Sequence, residues 1–154
     1  MPDPFLIQPK RADDTDAVQA LFALCVSTAQ WLPDASRAKT TFADVSEGET
    51  IWLARAASSH DASQALLAFV SVQTETPYIH HLYVHPTARG QGLGGALLES
   101  LQSWLPSPWH LKCVRANHAA MAFYQAQGWI EVGTGASDDG AYVLLQWTPQ
   151  ETRP

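Results

Sequence analysis

Residues 82–98, LYVHPTARGQGLGGALL, decide the fold of this chain. They run from a strand-like apolar segment through a short loop and a glycine-dense turn into an apolar helix. The first amides of a helix have no partner inside it and lie at the positive end of its dipole. The glycines Gly90, Gly92, Gly94 and Gly95 would let a phosphate reach those amides. The stretch therefore predicts an anion site at a strand-to-helix junction.

Two other interpretations of this loop are open from the residues alone. One is a glycine-rich turn without a ligand, which four glycines within residues 90–95 disfavour. The other is a dinucleotide fold of a nucleotide-dependent oxidoreductase, because Gly90, Gly92 and Gly95 match G-x-G-x-x-G. Against it, the loop does not follow its strand directly, and no acid stands at 110–112, where the ribose partner is expected. The chain beyond Gly95 is also too short for the remaining βαβ units.

The rest of the chain predicts an α/β (α+β) fold, with a largely antiparallel sheet of six to seven strands and about four helices. Period-two apolar segments predict strands over residues 5–7, 51–54, 65–72, 76–85, 109–114, 129–132 and 142–147. Helical spacing and capping residues predict helices over about 13–25, 34–45, 93–105 and 117–127. A polar turn is expected at 58–63, and a glycine- and aspartate-rich turn at 133–140.

Size and composition favour one globular domain over residues 1–154. The longest apolar runs are only a few residues, whereas a membrane-spanning helix needs roughly 20, so no membrane partner is expected. The N-terminal residues show no cationic stretch followed by an apolar one, so a secretory signal is not expected. Cys25 and Cys113 are isolated from each other and indicate reduced, buried thiols. A cytoplasmic location is the default that follows.

The net charge of −6 is unevenly distributed. Residues 76–130 carry three Lys/Arg, one acid and five of the six histidines, whereas both flanking segments are acidic. Such a centre suits an anionic ligand with a cationic one beside it, although chance also explains a difference of this size. No basic run or stripe is present to neutralise phosphates, so a nucleic-acid partner is not expected.

Two motifs resemble those of the GCN5-related N-acetyltransferase (GNAT) family. Arg89-x-x-Gly92-x-Gly94, between a strand and an apolar helix, resembles its acyl-CoA signature. Asn117-x-x-Ala120-x-x-Phe123-Tyr124-x-x-x-Gly128-Trp129 is similar to its second conserved block. The resemblance covers residues 82–129 and implies a GNAT-like fold, acetyl-CoA as cosubstrate and acetyl transfer to an amine by direct attack. The same scaffold as a non-catalytic acyl-CoA sensor is the alternative.

The resemblance also implies roles for individual residues. The backbone of Leu82, Tyr83 and Val84 would lie beside the pantetheine arm, with the Leu82 amide near the thioester oxygen. Asn117 would contact the pantetheine or hold the loop, and Tyr124 would return a proton to the leaving thiolate. A core aromatic is the other interpretation of Tyr124. The implied cofactor-binding residues are Leu82, Tyr83, Val84, Arg89, Gly90, Gln91, Gly92, Leu93, Gly94, Gly95 and Asn117.

An amine must lose a proton before it attacks a thioester, so a general base is needed. His80 is the predicted base, because histidine titrates in the right range and this one precedes Leu82 by two residues. A structural strand histidine is the alternative reading of His80, and Glu75 is a weaker candidate base. Cys113 is not expected to be a covalent nucleophile, because no histidine and aspartate follow the order in the sequence that such catalysis would need.

Strand alternation predicts which residues of segment 76–85 share a face. One face is expected to hold Tyr78, His80, Leu82 and Val84, and the other Ile79, His81 and Tyr83. Because His80 and His81 would then face opposite ways, no metal site is expected from His80, His81 and His85.

The acceptor is the least defined part of the prediction. By resemblance, its pocket is shaped by residues 29–33, by Tyr78 and His80, and by the turn at 133–140. Trp31 and Tyr78 are the predicted substrate contacts. Segments 29–33 and 133–140 are acidic or flanked by aromatic residues, which favours a cationic or aromatic amine, small or on a protein. A surface anchor is the alternative for Trp31. A homodimer is an expectation from such folds in general.

Overall fold

The computed structural model describes residues 5–56 and 66–149, so the turn expected at 58–63 lies outside the described residues. The strands are β1 (Phe5–Pro9), β2 (Thr50–Ala56), β3 (Leu66–Gln73), β4 (Tyr78–Val84), β5 (Trp109–Val114), β6 (Ile130–Ser137) and β7 (Gly140–Trp147). The helices are α1 (Thr15–Ser27), α2 (Asp34–Arg37), α3 (Leu93–Leu101) and α4 (His118–Ala126). Short 3-10 turns occupy Ala12–Asp14, Phe42–Val45 and Pro86–Ala88. No described helix is long and apolar enough to span a bilayer.

The seven strands form one sheet in the order β1-β2-β3-β4-β5-β7-β6. Every pair is antiparallel except β4 and β5, which are parallel and joined through α3. The predicted fold class, a mixed and largely antiparallel sheet with about four helices, is confirmed.

The two faces of the sheet bury separate cores. On one face, α1 packs its apolar stripe against residues such as Leu53 and Phe69. On the other face, α3 and α4 cover Val70 and Val72. Leu93, Leu97 and Leu101 of α3 are at most 1% exposed, because residues four apart lie on one side of a helix. Helices thus cover both faces of the sheet near the point where the central strands meet the glycine turn.

The helix predicted over 34–45 is wrong. Only the single turn α2 and the 3-10 turn Phe42–Val45 form there. The side chain of Gln19 explains the interruption: its Nε2 donates to the Thr40 carbonyl (2.6 Å), and its Oε1 accepts the Phe42 amide (2.7 Å). These bonds satisfy backbone groups that a continuous helix would have to pair internally.

Gln19→Ala should therefore lower the free energy of unfolding by about 1–2 kcal/mol, since two half-buried backbone groups lose their partner. Urea denaturation followed by circular dichroism measures this. Gln125→Ala on the exposed side of α4 is the matched control and should change stability by less than about 0.5 kcal/mol. Equal stabilities of the two variants would contradict the role given to Gln19.

Two other boundaries differ from prediction. Helix α3 ends at Leu101 rather than near 105, and turns at 102–104 carry the chain on. The turn predicted at 133–140 is mostly strand, because β6 continues to Ser137 and pairs with β7. Gly133 and Gly135 lie inside that strand, and the ring of Tyr142 on β7 lies directly over Gly135. An aromatic ring that covers a strand glycine supplies the packing the glycine lacks.

Candidate active site

The central feature of the site is a gap between β4 and β5. The two strands pair only at Tyr78 and His110, where the His110 amide donates to the Pro77 carbonyl (3.1 Å). Beyond that point β4 has no strand partner on its β5 side among the described residues. The gap opens a cavity of about 750 Å³, within the range of small-molecule and cofactor pockets.

Most of the residues predicted to bind a cofactor lie on the wall of this cavity. Those on the wall are Leu82, Tyr83, Val84, Arg89, Gly90, Gly92, Leu93, Gly94, Gly95 and Asn117. Tyr124 and Trp31, predicted as acid and substrate contact, line the same cavity. Gln91 is exposed outside the wall, and Tyr78 and His80 are also outside it.

The glycines of the turn serve two different physical needs. Gly90 and Gly92 have φ of +80° and +82°, a left-handed conformation that side chains disfavour, and Gly92 is the N-cap of α3. Gly94 and Gly95 instead let α4 approach. A Cβ at Gly94 would lie 3.1 Å from the Phe123 ring, and one at Gly95 would lie 3.4 Å from the Gln127 amide. The N-terminus of α3 therefore carries no side chain at Gly92, and its first turn packs closely against Phe123 and Gln127 on the same cavity wall.

Arg89 carries the positive charge of the cavity wall. Its guanidinium lies beside Cys25, a buried α1 residue whose role in lining the cavity was missed from the sequence. Burial raises the pKa of the Cys25 thiol, and Arg89 partly offsets this. The thiol donates to the Val84 carbonyl (3.6 Å), which ties α1 to the end of β4. An exposed arginine at the mouth of an apolar cavity suits a phosphate-bearing ligand.

Tyr124 is a buried core aromatic that also lines the cavity. Helix α4, which carries it, is capped at its N-terminus by Asn117, whose Oδ1 accepts the Ala120 amide (3.2 Å). The Tyr124 ring packs edge-on against Phe123 and Trp129, at centroid distances of 5.1 and 5.6 Å. Burial raises its pKa, so the phenol keeps its proton at neutral pH and can donate it.

The predicted alternation of segment 76–85 is wrong because β4 contains a bulge. Val72 pairs with Ile79 and Ser71 with His81, which leaves His80 as the extra residue. As a result, His80 lies beside His81, with ring centroids 4.2 Å apart, on the α1 face. Ile79 instead belongs to the α3 face, together with Leu82 and Val84. An inserted residue cannot be read from a period of two.

The bulge brings His80 against Glu49, a residue the sequence did not single out. His80 Nδ1 lies 2.6 Å from Glu49 Oε2, and the Ser71 hydroxyl donates to Oε1. The Glu49 side chain is 2% exposed, whereas that of His80 is 39% exposed. Glu49 stands one residue before β2, and its partner is 31 residues away. Only the registers of β2, β3 and β4 reveal this contact.

The reason given above against a metal site at the histidines is also wrong. Glu49, His80 and His81 each place one possible ligand atom within 4.8 Å of the other two, and His85 is not part of this group. However, two ligands of one tetrahedral zinc ion stand about 3.3 Å apart. The 2.6 Å between Glu49 and His80 is the length of a charge-assisted hydrogen bond, so the geometry is that of an acid–histidine pair.

His81 and Tyr78 flank this pair. His81 is enclosed by the rings of Phe22 and Phe42, and burial together with the neighbouring His80 lowers its pKa to about 4. The Tyr78 ring lies 6.0 Å from that of His80, and burial raises its pKa. Both groups are therefore neutral at pH 7 and add no charge beside His80 and Glu49.

Strands β4 and β5 separate around a cavity whose wall includes a helix N-terminus and an arginine. This arrangement suits an extended ligand that carries an anionic group. Comparison with known proteins defines the family. The model of the acetyltransferase (GNAT) family matches residues 16–129. The chain belongs to this family and is an acetyl-CoA-dependent N-acetyltransferase. No curated protein matches the chain significantly.

Solved structures show the same fold at low sequence identity. A GCN5-related N-acetyltransferase from Rhodopseudomonas palustris has a TM-score of 0.76 at 16% identity, over 97% of this chain and 98% of its own. Apo YjaB from Escherichia coli has a TM-score of 0.72 at 18% identity, over 93% and 97%. YncA from Salmonella typhimurium, solved with its cofactor acetyl-CoA, has a TM-score of 0.68 at 14% identity, over 99% and 98%.

Proposed function

We propose that the protein moves the acetyl group of acetyl-CoA directly to a primary amine, with His80 as general base and Tyr124 as general acid. The observation that carries this proposal is the cavity between β4 and β5, whose wall includes the β4 edge, the α3 N-terminus and Tyr124. An extended thioester fits such a gap as an additional strand would. The acetyl-CoA in the structure of YncA supports the choice of cosubstrate.

Binding of the cosubstrate rests on the glycine turn and Arg89. The first amides of α3, at Leu93, Gly94 and Gly95, have no partner within the helix and would hold the pyrophosphate. Arg89 would add a charge-assisted contact to it. The unpaired edge of β4 at Leu82 would place an amide near the thioester oxygen, where negative charge develops.

Before attack, an ammonium acceptor loses one proton to solvent through His80. The chemical step then needs two proton transfers: the neutral amine nitrogen bonds to the carbonyl carbon while one of its protons passes to His80, directly or through water. The carbon–sulfur bond breaks, and the Tyr124 hydroxyl supplies a proton to the leaving sulfur. The products are an acetylated amine and free CoA, and the proton on His80 replaces the one that Tyr124 lost, by way of solvent. No covalent acyl-enzyme is needed.

The acceptor is a primary amine on a small molecule or a protein, and we favour a cationic or aromatic one. Trp31 and Gln30 lie on the cavity wall and offer an aromatic face and an amide to it. Tyr78 and the His80–Glu49 pair lie near the opening of the strands and offer a hydroxyl and an acid. Release of CoA thiol with spermidine, tyramine and a short unblocked peptide compares the three acceptor chemistries.

We also propose a reducing, cytoplasmic location and a homodimer. Both cysteines are free and buried, which is typical of proteins kept in reducing compartments. Strand β6 is an edge of the sheet and exposes Ile130 and Val132 (51% and 44%), which a second copy could cover. Sedimentation of the wild type and of Val132→Lys tests the dimer.

Arg89→Glu should weaken acetyl-CoA binding by about 10- to 100-fold, because it replaces an attraction to the pyrophosphate with a repulsion. Calorimetric titration with acetyl-CoA measures the loss. Lys39→Glu makes the same change in net charge at an exposed position away from the cavity and should bind as the wild type does. Equal affinity of both variants would show that the loop does not hold the pyrophosphate. Gly92→Glu is a poorer probe, because its positive φ would strain the fold.

A further inference from the structure

We propose that Glu49 is a positioning residue for acetyl transfer: it holds the His80 ring with its proton on Nδ1, so that Nε2 is the atom that takes the proton of the amine. The inference rests on the proposed role of His80 as base. It adds a residue outside both motifs of the chain and outside the cavity wall.

The contacts of Glu49 determine which nitrogen of His80 carries the proton. One carboxylate oxygen accepts from the Ser71 hydroxyl, and the other lies 2.6 Å from His80 Nδ1. Ser71 is fully buried and the Glu49 side chain is 2% exposed, so the carboxylate is held in place. An ionised carboxylate can only accept hydrogen bonds, so Nδ1 must donate. Nε2 then carries a lone pair, which is what a general base requires.

Glu49 places a buried carboxylate directly against His80. A buried carboxylate needs a cationic partner, and its one ion pair among the described residues is with His80. The other titratable groups that face His80 are His81 and Tyr78, and burial keeps both neutral. The counter-charge to Glu49 therefore arises when His80 accepts a proton. A histidine with a buried acid behind it and an exposed second nitrogen follows the logic of catalytic triads.

The β-bulge is what makes this pair possible. Regular alternation would put Ile79 and His81 together and His80 on the opposite face. The inserted residue instead turns His80 toward β2, where Glu49 precedes Thr50. Ring contact with His81 at 4.2 Å supports the orientation from the other side.

The tautomer of His80 can be measured without knowing the acceptor. Nitrogen-15 NMR of the imidazole rings, with His80 assigned by its absence in His80→Gln, should show Nδ1 protonated in the neutral wild-type ring. In Glu49→Gln we expect the proton to move mainly to Nε2, because the neutral amide no longer requires a donor at Nδ1. Glu47→Gln, the same change two residues earlier at an exposed position, should leave the tautomer unchanged. An unchanged tautomer in Glu49→Gln would overturn the proposal.

Kinetics separate this inference from the proposed function. With an acceptor that releases CoA thiol, Glu49→Gln should lower kcat by about 10- to 100-fold and leave the KM for acetyl-CoA nearly unchanged. Glu49→Asp keeps the carboxylate and should recover part of kcat, so it replaces Glu49→Gln if that variant does not fold. Loss of activity in His80→Ala with a wild-type kcat in Glu49→Gln would overturn the role of Glu49 alone. Full activity in His80→Ala would overturn the base itself.

Discussion

His80→Ala should lower kcat/KM for acetyl transfer by about 10³-fold at neutral pH, because we propose His80 as the general base. The amine acceptor is almost wholly protonated at pH 7, since ordinary primary amines titrate near 10. Without a base, the reaction depends on the small fraction of amine that is already neutral. The deficit should therefore shrink as the pH rises toward 10, with the rate of the variant increasing about tenfold per pH unit.

The measurement is a pH series of CoA thiol release for wild type and variant. The wild-type profile should fall on the acidic side, where imidazole takes up a proton, whereas the variant should lack that step and keep a single slope. Glu75, the weaker candidate base, lies in the exposed turn between β3 and β4. Glu75→Gln should therefore keep the wild-type profile. A flat, unreduced profile for His80→Ala would contradict the assignment, and a loss in Glu75→Gln would move it to Glu75.

The strand end, glycine turn and helix start that line the cavity were predictable because their determinants are local. Residues 82–98 specify a strand end, a turn and a helix start within one stretch, and each step has its own chemical signal. Positive φ needs glycine at Gly90 and Gly92, and an N-cap is marked by Asn117. These signals can be recognised in the sequence without knowing the order of the strands in the sheet. The seven strands and the main helices were predictable for the same reason.

The Glu49–His80 contact was not predictable, because it depends on registers between distant strands. Glu49 meets His80 only through the pairing of β2 with β3 and of β3 with β4, and through one extra residue in β4. The helix over 34–45 failed for a similar reason, since the competing hydrogen bonds come from Gln19 on α1. The close approach of Phe123 to Gly94 and of Gln127 to Gly95 was likewise not readable from the sequence. Each miss is a long-range contact that overrode a local pattern.

The second large effect is expected from Tyr124→Phe, which should lower kcat by about 10²-fold and leave the KM for acetyl-CoA nearly unchanged. The substitution keeps the ring that packs against Phe123 and Trp129, so the fold and the cavity are preserved. What it removes is the proton for the leaving sulfur. Because burial raises the pKa of Tyr124, the phenol stays protonated, and its ionisation should cause no loss of wild-type activity between pH 7 and 9.

The control for Tyr124→Phe is Tyr142→Phe. Tyr142 is on β7, its ring lies over Gly135 of β6, and it is not part of the cavity wall. This variant should keep the wild-type kcat. Thermal unfolding of both variants checks that neither loses its packing. If Tyr124→Phe retains kcat while its melting temperature is unchanged, the phenol is only a core aromatic and the thiolate leaves with a proton from water. If kcat falls and acetyl-CoA still binds with wild-type affinity, the lost interaction belongs to the transition state, because ground-state binding of the cosubstrate is intact.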